Sequence, residues 1–298
     1  MSLRLLGGVK NVMKLSKKAM AAKRMSETLH LYRCPICYKG MNVIEDRQLG
    51  CVNNHQFDLA KQGYVNVVQQ AKKTVYDLGL FEARNQICRS GFYTPLMNRI
   101  SMLVEELFTT GDELTILDAG CGEGSHLTEL LDCLEQESVG IGVDLAKEGI
   151  QTAAKHNDQG IWFVGDLANT PFNNQSFDLI LNILSPSNYA EFNRILKDQG
   201  LTIKIVPGAN YLQELREQIY QGTEQAEYSN QATIDRFEEA FTLIRREDVK
   251  YQVELSTELF NHLIKMTPLT QDADLTRLKP IDLITVELEI LIGMKKVM

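Results

Sequence analysis

The chain has 298 residues, 44% of them hydrophobic and 23% charged, which is enough to bury one large core with a small companion module. It holds no run of about 18 apolar residues, which argues against a membrane span and for the cytosol. Its net charge of −8 speaks against a polyanionic partner for the chain as a whole, but the charge is uneven: +7 over residues 1–33, +3 over 34–100 and −18 over 101–298. A basic front on an acidic body is what contact with phosphates at the front alone requires.

Residues 1–30 read as a basic leader, helical or disordered. Leu5, Leu6, Val9, Val12, Met13 and Leu15 alternate there with Lys10, Lys14, Lys17, Lys18, Lys23 and Arg24, and no catalytic role is expected. The segment is loosely like an organellar transit peptide, and Met25 is an alternative start.

Cys34-Pro35-Ile36-Cys37 follows, then thirteen residues, then Cys51-Val52-Asn53-Asn54-His55. Two close pairs of soft or borderline ligands, joined by a hairpin turning near Asp46–Gly50, suit one tetrahedral zinc held by Cys34, Cys37, Cys51 and His55. With four protein ligands no position is left for a substrate water, so the ion is structural. A redox CxxC would leave the second pair unexplained. The module is too small for its own core and should fold only with metal bound. Polar Gln69, Gln70, Lys72 and Lys73 then suggest a linker, giving a module at 31–68 separable from a catalytic domain at 69–298.

Residues 80–110 carry Phe81, Ile87, Phe92, Leu96, Ile100, Leu103, Val104 and Leu107 at mostly helical spacing and predict one helix. Short β-like runs then alternate with helical ones: Leu114–Leu117, Ser138–Val143, Ile161–Val164, Phe177–Leu181 and Leu201–Val206. This alternation predicts an α/β fold with a parallel sheet covered on both faces. Beyond Tyr211 the chain gives a helix, a charged stretch Arg245–Asp248 and a strand-like Leu283–Ile292.

The chemistry concentrates at the strand ends. Ile116-Leu117-Asp118-Ala119-Gly120-Cys121-Gly122-Glu123-Gly124 runs a strand into a glycine-rich turn that opens a helix, so the main chain can pass close under a bulky cofactor. The dinucleotide pattern G-x-G-x-x-G fails, because its third glycine would fall at Ser125. Asp118 can reach a cofactor ammonium. Asp144, followed by Leu145, ends the second strand as a ribose clamp, and Asp166 with Leu167 follows the third at the adenine. Cys121 is expected to be a small buried residue of the turn. The segment Asn182-Ile183-Leu184-Ser185-Pro186-Ser187-Asn188-Tyr189 lies where an acceptor would be presented. Asn182, Ser185, Asn188 and Tyr189 are the acceptor-side candidates, with Asn182 also near the cofactor, Glu191 facing solvent and no general base evident.

LDAGCGEG at 117–124, GVDLAKEGI at 142–150 and VGDLANTPF at 164–172 resemble the class I, Rossmann-like methyltransferases over about residues 114–206. With CPIC at 34–37, HQFDLAKQGYVN at 55–66, Pro207-Gly208 and the Leu212–Leu215 stretch, and Met266-Thr267-Pro268, the chain resembles the RlmA family of 23S rRNA guanine-N1 methyltransferases over about residues 32–290. The resemblance implies S-adenosylmethionine as methyl donor and methylation of guanine N1 in a domain II hairpin of 23S rRNA. The position is of the nucleotide-748 or nucleotide-745 class, and composition leans to the former. It also implies a homodimer whose zinc modules help form an RNA-binding cleft. On that basis Arg33, Lys39, Arg47, Lys61, Lys72 and Lys73 would grip the hairpin. Residues 1–28 have no counterpart in the family pattern. A small-molecule methyltransferase with a zinc-stabilised lid and a non-catalytic RNA-binding protein on the same fold are the alternatives; the basic front counts against the first and the intact glycine turn against the second.

Overall fold

The structure is a computed structural model that describes residues 15–69, 76–109, 111–220, 228–270 and 273–296. Helix α1 (Lys17–Glu27) begins where the Ser16 hydroxyl accepts from the Ala19 amide, and it buries Ala21, Ala22 and Met25. Strands β1 (Met41–Ile44), β2 (Gln48–Cys51) and β3 (Gln56–Asp58) form a small antiparallel sheet. Strand β4 (Tyr64–Asn66), helix α2 (Leu78–Arg89) and helix α3 (Thr94–Leu107) lead into the larger unit.

That unit alternates β5 (Leu114–Ala119), α4 (Ser125–Cys133), β6 (Ser138–Asp144), α5 (Lys147–His156), β7 (Ile161–Val164), β8 (Phe177–Ile183), α6 (Tyr189–Ile195), β9 (Leu196–Pro207), α7 (Gln213–Ile219), α8 (Gln231–Ala240), β10 (Phe241–Glu254), α9 (Thr257–Met266) and β11 (Leu283–Lys295). Its eight-stranded sheet has the order β10-β11-β9-β8-β5-β6-β7-β4, with β11 alone running against its neighbours. The order reverses between β5 and β8. In an open sheet that switch point leaves a crevice at the carboxyl ends of the strands, where ligands bind.

Both faces of the sheet are covered, as the near-continuous apolar strands require. Leu114, Ile116, Leu179 and Leu181 pack with α2 to α5, α7 and α9 on one face. On the other, Leu117, Ala119, Ile141 and Val143 pack with α1, the small sheet, α6 and α8. Among the described residues no helix is long and apolar enough to cross a membrane.

Several expectations need correction. The single helix over 80–110 is two, because Gly91 takes a left-handed backbone (φ 85) and Pro95 is tolerated only in the first turn of α3. The charged Arg245–Asp248 lies within β10, where exposed and half-buried positions alternate. The part of the leader that is described is not a free tail, since Lys17 bonds to the Ala154 and Lys155 carbonyls and pairs with Asp158 at 2.7 Å. The expected boundary after residue 68 leaves one strand of the large sheet on the module's side, because β4 pairs in parallel with β7. The crossover from β7 to β8 contains no helix, and Met25, Leu31 and Tyr32 from the N-terminal segment pack into the core on that face. Gln70, Lys72 and Lys73 lie outside the described residues.

Candidate active site and metal centre

Two tight knuckles build the metal centre. Cys34 accepts from the Tyr38 amide and donates to the Lys39 carbonyl, while Cys51 accepts from Asn54 and donates to His55. Tyr38 and Asn54 take left-handed backbones to close these turns. The β1–β2 hairpin then brings the four ligand atoms of Cys34, Cys37, Cys51 and His55 within 4.8 Å of one another. Cys37 Sγ stands 3.6 Å from Cys51 Sγ, and Cys34 and Cys51 Sγ each stand 3.5 Å from His55 Nδ1. Tetrahedral zinc with ordinary bond lengths needs separations of about 3.8 Å between sulfurs and about 3.5 Å from sulfur to nitrogen. The donor set and its spacing therefore fit the ion.

The knuckle is fastened to the sheet. Asn169 Nδ2 donates to the Pro35 carbonyl at 3.1 Å, the Arg33 amide to Pro171 at 3.0 Å, and Tyr32 forms a β-bridge with Phe172. Those body residues follow β7 on the loop that carries Asp166 and Leu167. Glu191, expected in solvent, is buried under this loop: it accepts from the Thr170 amide and hydroxyl and pairs with Arg194 at 2.6 Å.

A cavity of about 730 Å³ occupies the switch-point crevice, a size suited to a small-molecule cofactor. Its inner end is lined by Gly120, Gly122, Asp144, Leu145, Asp166 and Leu167, six of the residues that sequence reasoning assigned to the cofactor, and by Arg84 from α2. Gly120 has positive φ, and a Cβ there would collide with the Ser185 hydroxyl, so the turn passes directly beneath the acceptor loop. Asp144 accepts from the amides of Gly122 (2.8 Å) and Ala146 (2.7 Å), locking the turn to the start of α5. Burial nonetheless raises its pKa, against the lowering effect of those bonds.

Asp118, Cys121, Glu123, Gly124 and Asn182 are not among the walls. Asp118 is buried with Oδ2 unpartnered, and desolvation, with Arg84 opposing, pushes its pKa up to about 7. Glu123 is fully buried 3.4 Å from Arg84. Burial works against the Arg84 charge, yet Glu123 and its neighbours hold that pKa above the ordinary value.

Ser185 and Tyr189 line the acceptor end; Asn182 and Asn188 serve the framework. Asn182 Nδ2 donates to the Ala119 and Pro186 carbonyls, and its Oδ1 accepts from Ser187 and from Lys204 Nζ. Asn188 caps α6 by accepting from the Glu191 amide at 3.1 Å.

A family model for the N-terminal zinc ribbon of RlmA matches residues 32–74, and a methyltransferase domain model matches residues 116–200. The Bacillus subtilis (strain 168) protein named "Putative 23S rRNA (guanine-N(1)-)-methyltransferase YxjB" is 41% identical over 275 residues, 89% of this chain and 97% of that one. The chain belongs to the RlmA family of 23S rRNA (guanine-N1-)-methyltransferases. A Streptomyces fradiae relative, named 23S rRNA (guanine(748)-N(1))-methyltransferase, is 32% identical over 185 residues, 61% of this chain and 65% of that one. Among solved structures, an S-adenosylmethionine-dependent methyltransferase from Aquifex aeolicus aligns with 74% of this chain and 100% of its own at 15% identity and a TM-score of 0.45.

As in the RlmA family, the methyl donor is S-adenosylmethionine and the ribbon's metal is a structural zinc. The cavity fits the donor, with a turn that excludes Cβ atoms, a strand-end carboxylate and the half-buried Arg84 guanidinium along one wall. Arg84, Lys204, Arg216 and Arg236 are the charged wall residues that sequence reasoning missed. Lys204 is buried, and desolvation together with Arg236 lowers its pKa to about 8. Of the cations expected to grip RNA, Lys39, Arg47 and Lys61 are exposed. Arg33 is half-buried, with its guanidinium 4.7 Å from the Tyr38 ring centroid and Nε sealed from solvent.

Proposed function

We propose that this chain transfers a methyl group from S-adenosylmethionine to N1 of a guanine in a domain II hairpin of 23S rRNA, in the nucleotide-748 class. The observation that carries it is the single cavity joining the glycine turn and strand-end acids to the acceptor loop Leu184–Ser187, in a chain that also bears the RlmA zinc ribbon. The likeness to the relative named for position 748 supports the choice of nucleotide.

When bound, the donor supplies an electrophilic sulfonium methyl. Asp144 accepts from the ribose hydroxyls, Asp166 and Leu167 hold the adenine, and Arg84 meets the carboxylate of the amino-acid end, while Asp118 lies behind the turn. Ser185 and Tyr189 border the guanine on the facing wall. Attack by N1 requires loss of its proton, which leaves negative charge shared with O6. Among the described residues no carboxylate or histidine lines that end, so the proton passes to water, and the Lys204 ammonium stabilises the charge left behind.

Lys39, Arg47 and Lys61, with Lys72 and Lys73, grip the hairpin from the zinc ribbon. The rRNA substrate puts the enzyme in the cytoplasm, and the family resemblance makes it a homodimer, a state that light scattering tests. Incubation with radiolabelled donor should label unmodified 23S rRNA and not a pool of small metabolites, and Lys204→Met should cut kcat while keeping donor affinity. Label in the metabolites alone would overturn the assignment; an unchanged kcat for Lys204→Met would remove that residue's role.

A further inference from the structure

The outer end of the cavity carries positive charge that methyl transfer to a bare base leaves unused. In the acidic body, Arg84, Arg99, Arg194, Arg245, Arg246 and Arg277 each stand within ion-pair distance of a carboxylate. Apart from Arg89 at the exposed end of α2, the described arginines from residue 76 onward without such a partner are Arg216 and Arg236, and both line this cavity. Their setting is uneven in depth. Arg216, on α7, is buried: it donates to the Ala209 carbonyl, its Nε has no hydrogen-bond partner, and its guanidinium lies 5.6 Å from the Tyr228 ring centroid. Arg236, on α8, is exposed, and its charge reaches Lys204 and Tyr189.

Of the carboxylates on the cavity walls, Asp144 ends β6 and Asp166 follows β7, both at the inner end. Glu289, whose charge reaches Tyr228, is already taken by Arg246 and Asn230. A buried guanidinium with an unsatisfied N–H is costly to maintain, and an arriving anion relieves that cost. The guanidinium fork matches phosphate oxygens in pairs. A guanosine must also leave its stack to present N1, and its phosphates then swing with it to the rim of the pocket.

We infer that Arg216 and Arg236 form a clamp for the phosphates flanking the target guanosine, with Tyr228 as the ring against which the extruded nucleotide packs. This rests on the RNA reading above and adds a second set of phosphate contacts, on the acidic body and not on the zinc ribbon.

The test is binding of a short domain II hairpin transcript by the full-length, zinc-loaded protein, comparing wild type with Arg236→Gln and Arg236→Lys. It is run on native RNA and on RNA with uncharged methylphosphonates flanking the target guanosine. Arg236 is exposed, so the fold is not at stake, and an unchanged donor affinity by calorimetry confirms it. Arg236→Gln is expected to weaken native RNA binding about tenfold and to reduce the log–log salt slope by about one, with Arg236→Lys recovering much of the loss. On the neutralised RNA wild type and Arg236→Gln should bind alike. Wild-type affinity and slope for Arg236→Gln on native RNA, or an equal loss on both RNAs, would overturn the clamp while leaving methylation of the hairpin untouched. Failure of the wild type to bind the hairpin would overturn the RNA reading and the clamp together.

Discussion

The metal centre and the outer end of the cavity are both collections of charged or ligating side chains, yet they are assembled in opposite ways. The four metal ligands fall within 22 consecutive residues and are joined by one hairpin, so local turns suffice to gather them. Lys204, Arg216, Tyr228 and Arg236 come from β9, α7, the segment before α8 and α8 itself, and meet only because the strand order of the sheet sets those elements around one crevice. A site built by local chain geometry announces itself as a spacing; a site built by tertiary convergence leaves no spacing to read.

The difference in assembly does not make the metal module independent, and the largest expected effect tests that point. Deleting residues 1–68 removes α1, the ribbon and β4, stripping the β7 edge and one face of the sheet. The truncated chain should therefore lose its cooperative thermal transition and its donor binding. A milder version is Cys51→Ala, which should drop zinc from one equivalent to less than about half. Because Asn169 ties Pro35 to the loop bearing Asp166 and Leu167, donor affinity should fall with it. A truncated protein that still binds the donor normally would restore the picture of two separable units.

Next in size is Asp144→Ala. Its carboxylate holds the Gly122 and Ala146 amides as well as facing the cavity, and its loss should weaken donor binding by about 1–3 kcal/mol in calorimetry. Unchanged affinity would remove Asp144 from the site.

The smallest effect is expected at Asn188, which sequence position alone groups with the acceptor residues. As the cap of α6 its replacement by Ala should cost about 1 kcal/mol of stability in denaturant unfolding and leave the KM for RNA where it was. A raised KM with unaltered stability would return Asn188 to the acceptor surface.

Much of the fold was legible because buried parallel strands are near-continuous apolar runs, and the five inner strands lie within a few residues of their predicted places. Strand β10 escaped because both of its faces carry charge, the half-buried Arg245 pairing with Glu106 and Glu247 and the exposed Arg246 with Glu289, so the apolar pattern is broken. The glycine turn and Asp144 were legible for the same reason as the metal ligands: each lies at a fixed distance from a strand end. Asp118 was placed at the cofactor by that logic; the strand buries it, and it is not among the residues that line the cavity. Arg84 had no such marker. It sits in a helix upstream of the first inner strand and gains meaning only through Glu123, nearly forty positions away, as its buried partner.

The central claim is tested most directly by mapping the methyl group on the RNA. N1-methylguanine cannot pair, so reverse transcription of 23S rRNA treated with the enzyme and S-adenosylmethionine should stop at a single guanine in the domain II hairpin, at the position of the nucleotide-748 class. The stop should be absent with Asp144→Ala at limiting donor. Read-through of that hairpin, with methyl groups recovered elsewhere in the RNA or in small molecules, would contradict the account.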